Sequence, residues 1–509
     1  MINKLIVEKN RYVDSVTLMQ VRAKAMKIAG AVIAEVQMAT PANIDILKEL
    51  EFEVPTDAGS NDLVCGIRAE NEEAAEKILK VIDGVLNHRV ESDENYTSLD
   101  EINFAETGYN LAQISLPGEY AAKEAQKAME YGCDVFIFSD NVSIEEERAL
   151  KEYGHAHGKL VMGPDCGVGL IDGVCLGVGS IVKKGNVGIV GASGSGSQEV
   201  ACVIEKCGYG VTEIIGTGGR DLAKEIGGIT MMDGIRRLEN DPETKVIVLV
   251  SKLADTQVME EILAFADNMT KPVVAVFLGG NKKMYEGHRV IGVMNLEEAG
   301  LKAVELLTGK KEHLGYSDAE LEAIANREIE KLHMNQKYFR GLFCGGTFTE
   351  ESLIYFNQHN TENQLYTNLN NRYATQLEDA ETSKGHTILD LGAENFTEKA
   401  PHPVFEPGLR VDRLKKELED PDVAVVMIDF ITGPAVAEDP FSDLAAVARE
   451  ANSSDRHITF IGAVCGSEED PQNVTEMSKL LRDSGFIVTG SNYQSTKLAS
   501  MMMEKLGRR

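Results

Sequence analysis

One cassette occurs twice in this chain, and that repetition constrains the fold more than any other feature. The first copy begins at Asn186 and reads NVGIVGASGSGSQEVACVIEKCG. The second begins at Phe339 and reads FRGLFCGGTFTEESLIYF. Each has a short apolar run, a loop of Gly, Ser and Thr, then an acidic residue within a helical stretch. The parallel continues downstream. RRLENDPETKVIVLV (236–250) matches KKELEDPDVAVVMI (415–428), both with Asp-Pro ahead of a β-branched run, and KPVVAVFLGG (271–280) matches HITFIGAVCG (457–466). Two copies of one α/β domain account for this pattern. In each copy a glycine turn opens a helix, whose free N–H groups and dipole favour a phosphate or another anion.

The rest of the chain divides around the repeats. Residues 1–105 alternate strand and helix signals (KLIVEK, a helix from Ser15, AVIAEVQMA, a helix from Ala42, DLVCGIRA, a helix from Glu70). They predict a small α/β sandwich, with a ferredoxin-like arrangement as one option. The polar stretch ESDENYTSLDE follows. Residues 106–185 read strand LAQISL, helix 119–131, strand DVFIFSD, helix 144–157, strand KLVMGP, which is the signature of a parallel sheet with crossover helices. The first repeat covers 186–309, a charged helical connector 310–337, and the second repeat 338–509. Within the second, 357–387 is polar and has no counterpart in the first, which predicts an insertion near the sheet.

Composition excludes several classes. With 81 acidic against 51 basic residues the net charge is −30, so a nucleic-acid backbone is not an expected partner. No apolar run approaches the ~20 residues of a membrane span, and MINKLIVEKN lacks a signal peptide's apolar core. Eight scattered cysteines and ten scattered histidines show no metal-binding spacing. The expectation is a cytoplasmic, reduced, oligomeric protein without a protein-held metal.

The run GEYAAKEAQKAMEYGCDVFIFSDNVSIEEERALKEYGHAHGKLVMGPDCG (118–167) resembles the CoA-binding domain of the succinyl-CoA synthetase α subunit, including Gly-Pro-x-Cys at 163–166. The repeats resemble the paired CoA-ligase domains of that superfamily. DSVTLM (14–19) and ATPAN (39–43) narrow the resemblance to the FdrA family, and it spans essentially the whole chain. It implies an N-terminal α/β domain, a Rossmann-like CoA-binding-type domain and two flavodoxin-like CoA-ligase-type domains with parallel sheets. It also implies either acyl-CoA synthetase-like chemistry or a subunit of an oxamate carbamoyltransferase of ureide (allantoin) breakdown. The latter interconverts oxalurate plus phosphate with oxamate plus carbamoyl phosphate and works with companion subunits. CoA is a further ligand the resemblance brings in, and Mg²⁺ would follow from phosphate chemistry alone.

The loops supply the first candidate residues. Gly191, Ser193, Gly194, Ser195 and Gly196 offer backbone N–H groups and hydroxyls to a phosphate, and Gly345, Gly346 and Thr347 offer a shorter version. A bare strand-to-helix turn is the plain alternative. In the resembling synthetases two such helices face one phosphate, which predicts that these loops approach each other. His288, in Glu-Gly-His-Arg, stands near the place of the synthetases' phosphorylated histidine, although its loop is short and Ser251-Lys252 replaces the stabilising glutamate. These departures make a solvated loop histidine the preferred reading and a phosphorylated one the alternative. Lys252 and Arg220 should lie near strand C-terminal ends, where they could clamp carbamoyl phosphate and oxamate; ordinary ion pairs are the alternative. Gly118, Asn141, Ser143, Asp165 and Cys166 would line a substrate or CoA-like crevice, although no base or positive field beside Cys166 marks a nucleophile and a buried small residue is its preferred reading.

No stretch between the repeats could hold an ATP-grasp domain, and GxxxxGK[ST] is absent from the sequence. The readings in order are therefore a carbamoyl-phosphate-handling transferase subunit, an acyl-CoA synthetase subunit whose nucleotide domain lies on another chain, and a metabolite-sensing scaffold.

Overall fold

The computed structural model describes every residue except 14, 88–95, 97, 361–363, 399 and 509. Most of the polar stretch after the N-terminal region (91–95 and 97) lies outside the described residues. The chain forms two compact units, Met1–Thr107 and Gly108–Arg509.

The N-terminal unit is a three-stranded antiparallel sheet with helices Ser15–Met26, Pro41–Glu49 and Glu72–Asn87. Leu63–Ala69 lies between Ile2–Glu8 and Ala31–Met38 and is antiparallel to both. Its core is aliphatic, around Val21, Ile67 and Ile78.

The second unit begins with the parallel strands Leu111–Ile114, Asp134–Ile137 and Val161–Met162, interleaved with helices Gly118–Glu130 and Ile144–His157. The hairpin Val168–Ile171/Val174–Gly177 does not extend this sheet. It pairs antiparallel with Val211–Gly216 on the sheet of the first repeat.

Both repeats have the flavodoxin strand order. In the first, Lys184–Gly191 is flanked by Val211–Gly216 on one side and by Val246–Lys252, Val273–Leu278 and Ile291–Val293 on the other. In the second, Tyr338–Phe343 is flanked by His386–Asp390 and by Val423–Ile431, Thr459–Cys465 and Phe486–Thr489. Counted within each repeat, both orders are 2-1-3-4-5. The segment without a counterpart supplies Leu365–Thr367 and Thr375–Gln376, two short strands that lengthen the second sheet at the His386–Asp390 side. Strands covered on both faces read as continuous apolar runs, and Val246–Ser251 and Val423–Ile431 are buried residue after residue.

The repeats lock together by exchanging helix caps. The acidic residue of the first cassette, Glu199, accepts from the Asn492 amide at the start of helix Asn492–Gly507 in the second repeat, at 3.0 Å. The acidic residue of the second, Glu351, accepts from the Leu296 amide at the start of helix Leu296–Thr308 in the first, at 2.9 Å. Each helix N-terminus leaves amides that its own turn cannot satisfy, so a buried carboxylate from the other repeat fits there.

Candidate functional site: two helix N-termini and a lysine

In an open sheet of order 2-1-3-4-5 the ligand crevice opens at the C-terminal ends of strands 1 and 3, where the chain winds in opposite directions. The first glycine loop leaves strand 1 there, and Lys252 ends strand 3 beside it, with Val250 paired to Gly191. Ser193 takes the cap position of helix Gly194–Lys206, and its hydroxyl accepts from Gly196 N at 3.1 Å. Gly191 is needed for close packing, since a Cβ there would collide with the Ser197 hydroxyl. At Gly196 a Cβ would stand 2.6 Å from Ser193 Oγ and 3.2 Å from Thr347 Cγ2, so bare backbone lets the second repeat approach.

The second loop is built differently. Gly345 caps helix Gly346–His359 with no side chain of its own. The buried Asp429 carboxylate of the neighbouring strand accepts from Cys344 N and, at 2.8 Å, from Gly345 N. Arg410 holds that carboxylate from behind at 3.1 Å. This spends the first amides of the loop on structure and leaves the Gly346 and Thr347 amides in the helix's first turn, where no intrahelical carbonyl reaches them.

The two loops meet. Ser193 Oγ and Thr347 Oγ1 are 2.6 Å apart across the repeats. Lys252 reaches over from the first repeat: its Nζ lies 3.0 Å from Glu350 Oε2 and 3.8 Å from where a Cβ of Gly346 would be. Two helix N-termini, two hydroxyls and an ammonium group therefore converge. Such donors suit an anion, because each dipole end carries roughly half a positive charge.

Asp390 belongs to this neighbourhood although the sequence analysis did not select it. It ends strand His386–Asp390, is 7 % exposed, and its Oδ2 stands 3.0 Å from the position of a Gly346 Cβ. Burial pushes its carboxyl up to about 7, against the opposing pull of the Gly392 amide and Lys252. The signal was the Asp that closes the apolar run TILD, masked by the unmatched segment just before it.

The other predicted residues fall elsewhere. Gly118, Asn141, Ser143 and Asp165 gather at the C-terminal edge of the Leu111–Met162 sheet with Arg220. Arg220 is no part of the loop pair: it bonds Glu147 through Nε at 3.0 Å and the Val142 carbonyl at 2.7 Å, which ties this sheet to the first repeat. Ser143 is spent on the cap of helix Ile144–His157 in a capping box with Glu146. Cys166 is buried, and burial pushes its thiol up to about 12, so it is a packed thiol and not a thiolate nucleophile. His288 sits at the opposite edge of its sheet from the loops. The next strand, Ile291–Val293, is parallel to Val273–Leu278, so the chain must return to the N-terminal edge before it begins. There His288 Nδ1 meets Asp267, at the C-terminal end of helix Thr256–Ala266, at 2.7 Å. Among the described residues no cluster of His, Cys, Asp or Glu could hold a metal ion, and no helix is long and apolar enough to cross a membrane.

Against known proteins, the chain is 38% identical over 505 residues to YahF of Escherichia coli (strain K12), a protein described as uncharacterized; the match covers 97% of this chain and 98% of YahF. The chain belongs to the FdrA family. Family models agree with this assignment: residues 1–101 match "AllF, heavy metal-associated domain", 182–279 match the CoA binding domain, and 342–502 match CoA-ligase. The CoA-binding model thus falls on the first repeat. Among the described residues of that region no group of His, Cys, Asp or Glu could hold the metal of the first model's description, and its cysteine, Cys65, is buried. Succinate–CoA ligase [ADP-forming] subunit alpha of Staphylococcus epidermidis (strain ATCC 35984) is 30% identical over 195 residues, covering 38% of this chain and 63% of that subunit. Among solved structures, the dinucleotide-forming acetyl-coenzyme A synthetase 1 of Ca. Korarchaeum cryptofilum matches 82% of this chain and 86% of that one, at 14% identity and TM-score 0.33. The two family models and the match to the succinate–CoA ligase subunit give the repeats a CoA-ligase-like, succinyl-CoA synthetase-like fold.

Proposed function

We propose that this FdrA-family chain is the phosphate-handling subunit of a carbamoyl transferase, converting oxalurate and phosphate to oxamate and carbamoyl phosphate with companion subunits. The observation that carries the reading is the 2.6 Å contact between Ser193 and Thr347, which brings both helix N-termini and Lys252 to one place. In that reaction a phosphate oxygen attacks the carbamoyl carbon, the bond from that carbon to the oxamate nitrogen breaks, and the hydrogen phosphate proton ends on that nitrogen. The helix ends and Lys252 hold the phosphate and balance the charge that grows on the carbamoyl oxygen. The place of His288, away from the loops, favours direct transfer over a phosphohistidine relay.

The matches to CoA-ligase and CoA-binding models favour a second reading, an acyl-CoA synthetase subunit completed by a nucleotide-binding chain. At the Leu111–Met162 edge the residues present do not fit the phosphates of CoA. Burial raises the Asp165 carboxyl and the negative charge of Asp140 adds to this, while Arg220 is held by Glu147. The deciding experiment supplies the purified chain and its operon companions with oxalurate and phosphate, and separately with ATP, CoA and small carboxylic acids. Carbamoyl phosphate formation in the first mixture supports the transferase, and acyl-CoA formed only in the second refutes it.

A further inference from the structure

The strongest feature left over is the Asp390 carboxyl beside a site that otherwise collects positive charge. One of its oxygens, Oδ1, accepts from Gly392 N at 3.0 Å. The Asp390 backbone is fixed by both ends of the Asn368 amide, which accepts from Asp390 N at 2.9 Å and donates to its carbonyl at 2.9 Å. The carboxyl therefore has one orientation. Its other oxygen, Oδ2, has no hydrogen-bond partner among the described residues and is directed at the first turn of helix Gly346–His359. Lys252 Nζ from the first repeat and this oxygen approach the same point, the missing Cβ of Gly346, at 3.8 and 3.0 Å.

A buried carboxylate beside an anion site repels every fully deprotonated anion. It attracts one only when a hydrogen on the ligand lies between the two oxygens, a short and strong O–H···O⁻ bond. Specificity built by such a repulsive element is a general device. We propose that Asp390 Oδ2 accepts the hydroxyl hydrogen of hydrogen phosphate bound between the two helix ends, so that the site takes phosphate and refuses the isosteric sulfate. The inference rests on the phosphate reading above and adds the residue that reads the ligand's proton.

Calorimetric titration of the full chain at pH 8 with sodium phosphate and with sodium sulfate tests it. At that pH sulfate carries no proton and nearly all phosphate still carries one. The expected result is phosphate bound at least ~10-fold tighter than sulfate by the wild type. In Asp390→Asn, whose amide can donate to either anion, the ratio should fall to within ~3-fold, mainly through a gain in sulfate affinity. Gly346→Ala, whose Cβ would press on Oδ2 from 3.0 Å, should lower the ratio as well and serves if the Asn variant does not fold. Equal affinities in the wild type, or an undiminished preference in either folded variant, overturns the role of Asp390 while leaving a phosphate site standing. Binding of neither anion overturns the phosphate reading and this inference with it.

Discussion

Glu351 links the duplicated architecture to a measurable pH dependence. Its carboxyl is enclosed between the repeats, accepting from Leu296 N at 2.9 Å and from Asn492 Nδ2 at 2.8 Å. Burial raises it to about 7, assisted by Glu199 and Glu297. Below pH ~4.5 the group is protonated in folded and unfolded chains alike. Between that value and 7 the folded chain binds the extra proton, and above 7 the folded chain bears the whole cost of a buried charge. Its contribution to stability is therefore present at low pH and lost as pH rises through 7. From 4.5 to about 7 the difference amounts to roughly 3 kcal/mol, at 1.36 kcal/mol per unit. Glu351→Gln keeps the acceptor for Leu296 but turns an amide toward Asn492 Nδ2, a loss of about 1 kcal/mol. The variant should be less stable than wild type by about that amount at pH 4, below the unfolded value, and more stable by about 2 kcal/mol at pH 8. Scanning calorimetry at the two pH values reads this as a change of sign in the midpoint difference, at roughly 2–4 °C per kcal/mol for a domain of repeat size. A midpoint difference that stays constant between pH 4 and pH 8 would show that folded and unfolded chains hold the Glu351 proton alike, and the burial argument would fail.

Four further outcomes are expected. Lys252→Met should weaken phosphate binding by roughly 10–100-fold in calorimetry, the worth of one charged hydrogen bond, without lowering the melting temperature. His288→Ala should keep turnover within about threefold and yield no acid-labile phosphoenzyme, whereas a ~100-fold loss (about 2.7 kcal/mol of barrier) would return the histidine to the mechanism. Lys151 is fully buried, with Nζ 2.8 Å from Asp221, 2.9 Å from Glu147 and 2.9 Å from the Thr217 carbonyl, so Lys151→Met should cost about 3–5 kcal/mol in denaturant unfolding by leaving buried Asp221 without its cation and Glu147 with Arg220 alone. Cys166 should resist an aromatic disulfide reagent at pH 8 until the chain is unfolded, because burial holds its thiol up at about 12.

Much of the architecture was written along the chain. Apolar runs of six to nine residues alternating with amphipathic stretches specify parallel strands and crossover helices, because period and run length are local properties. The repeated Asp-Pro and glycine-loop signatures fixed the correspondence between the two copies, and the converging loops follow from it. Ser193, Gly196 and Thr347 were visible because cap and close-approach positions demand particular residue types over a few neighbours.

What the sequence could not decide were the partners of charged side chains. Lys252 and Arg220 look alike as basic residues after apolar strands or glycine turns. Only packing sends Lys252 across to Glu350 and the second loop, while Arg220 is claimed by Glu147 from a strand–helix unit more than 70 residues earlier. His288 carried a suggestive local motif, but the direction of one short parallel strand places it at the far edge of the sheet. Asp390 had no motif at all, and its position depends on which strand lies beside Tyr338–Phe343. The acidic residue of each cassette was evident as a repeated letter, yet its role, capping a helix of the other copy, exists only once the repeats are packed. Backbone period and turn chemistry are decided within a few residues. The pairing of buried charges is decided by which distant elements share a low-dielectric space, and here the tertiary structure supplied that part of the answer.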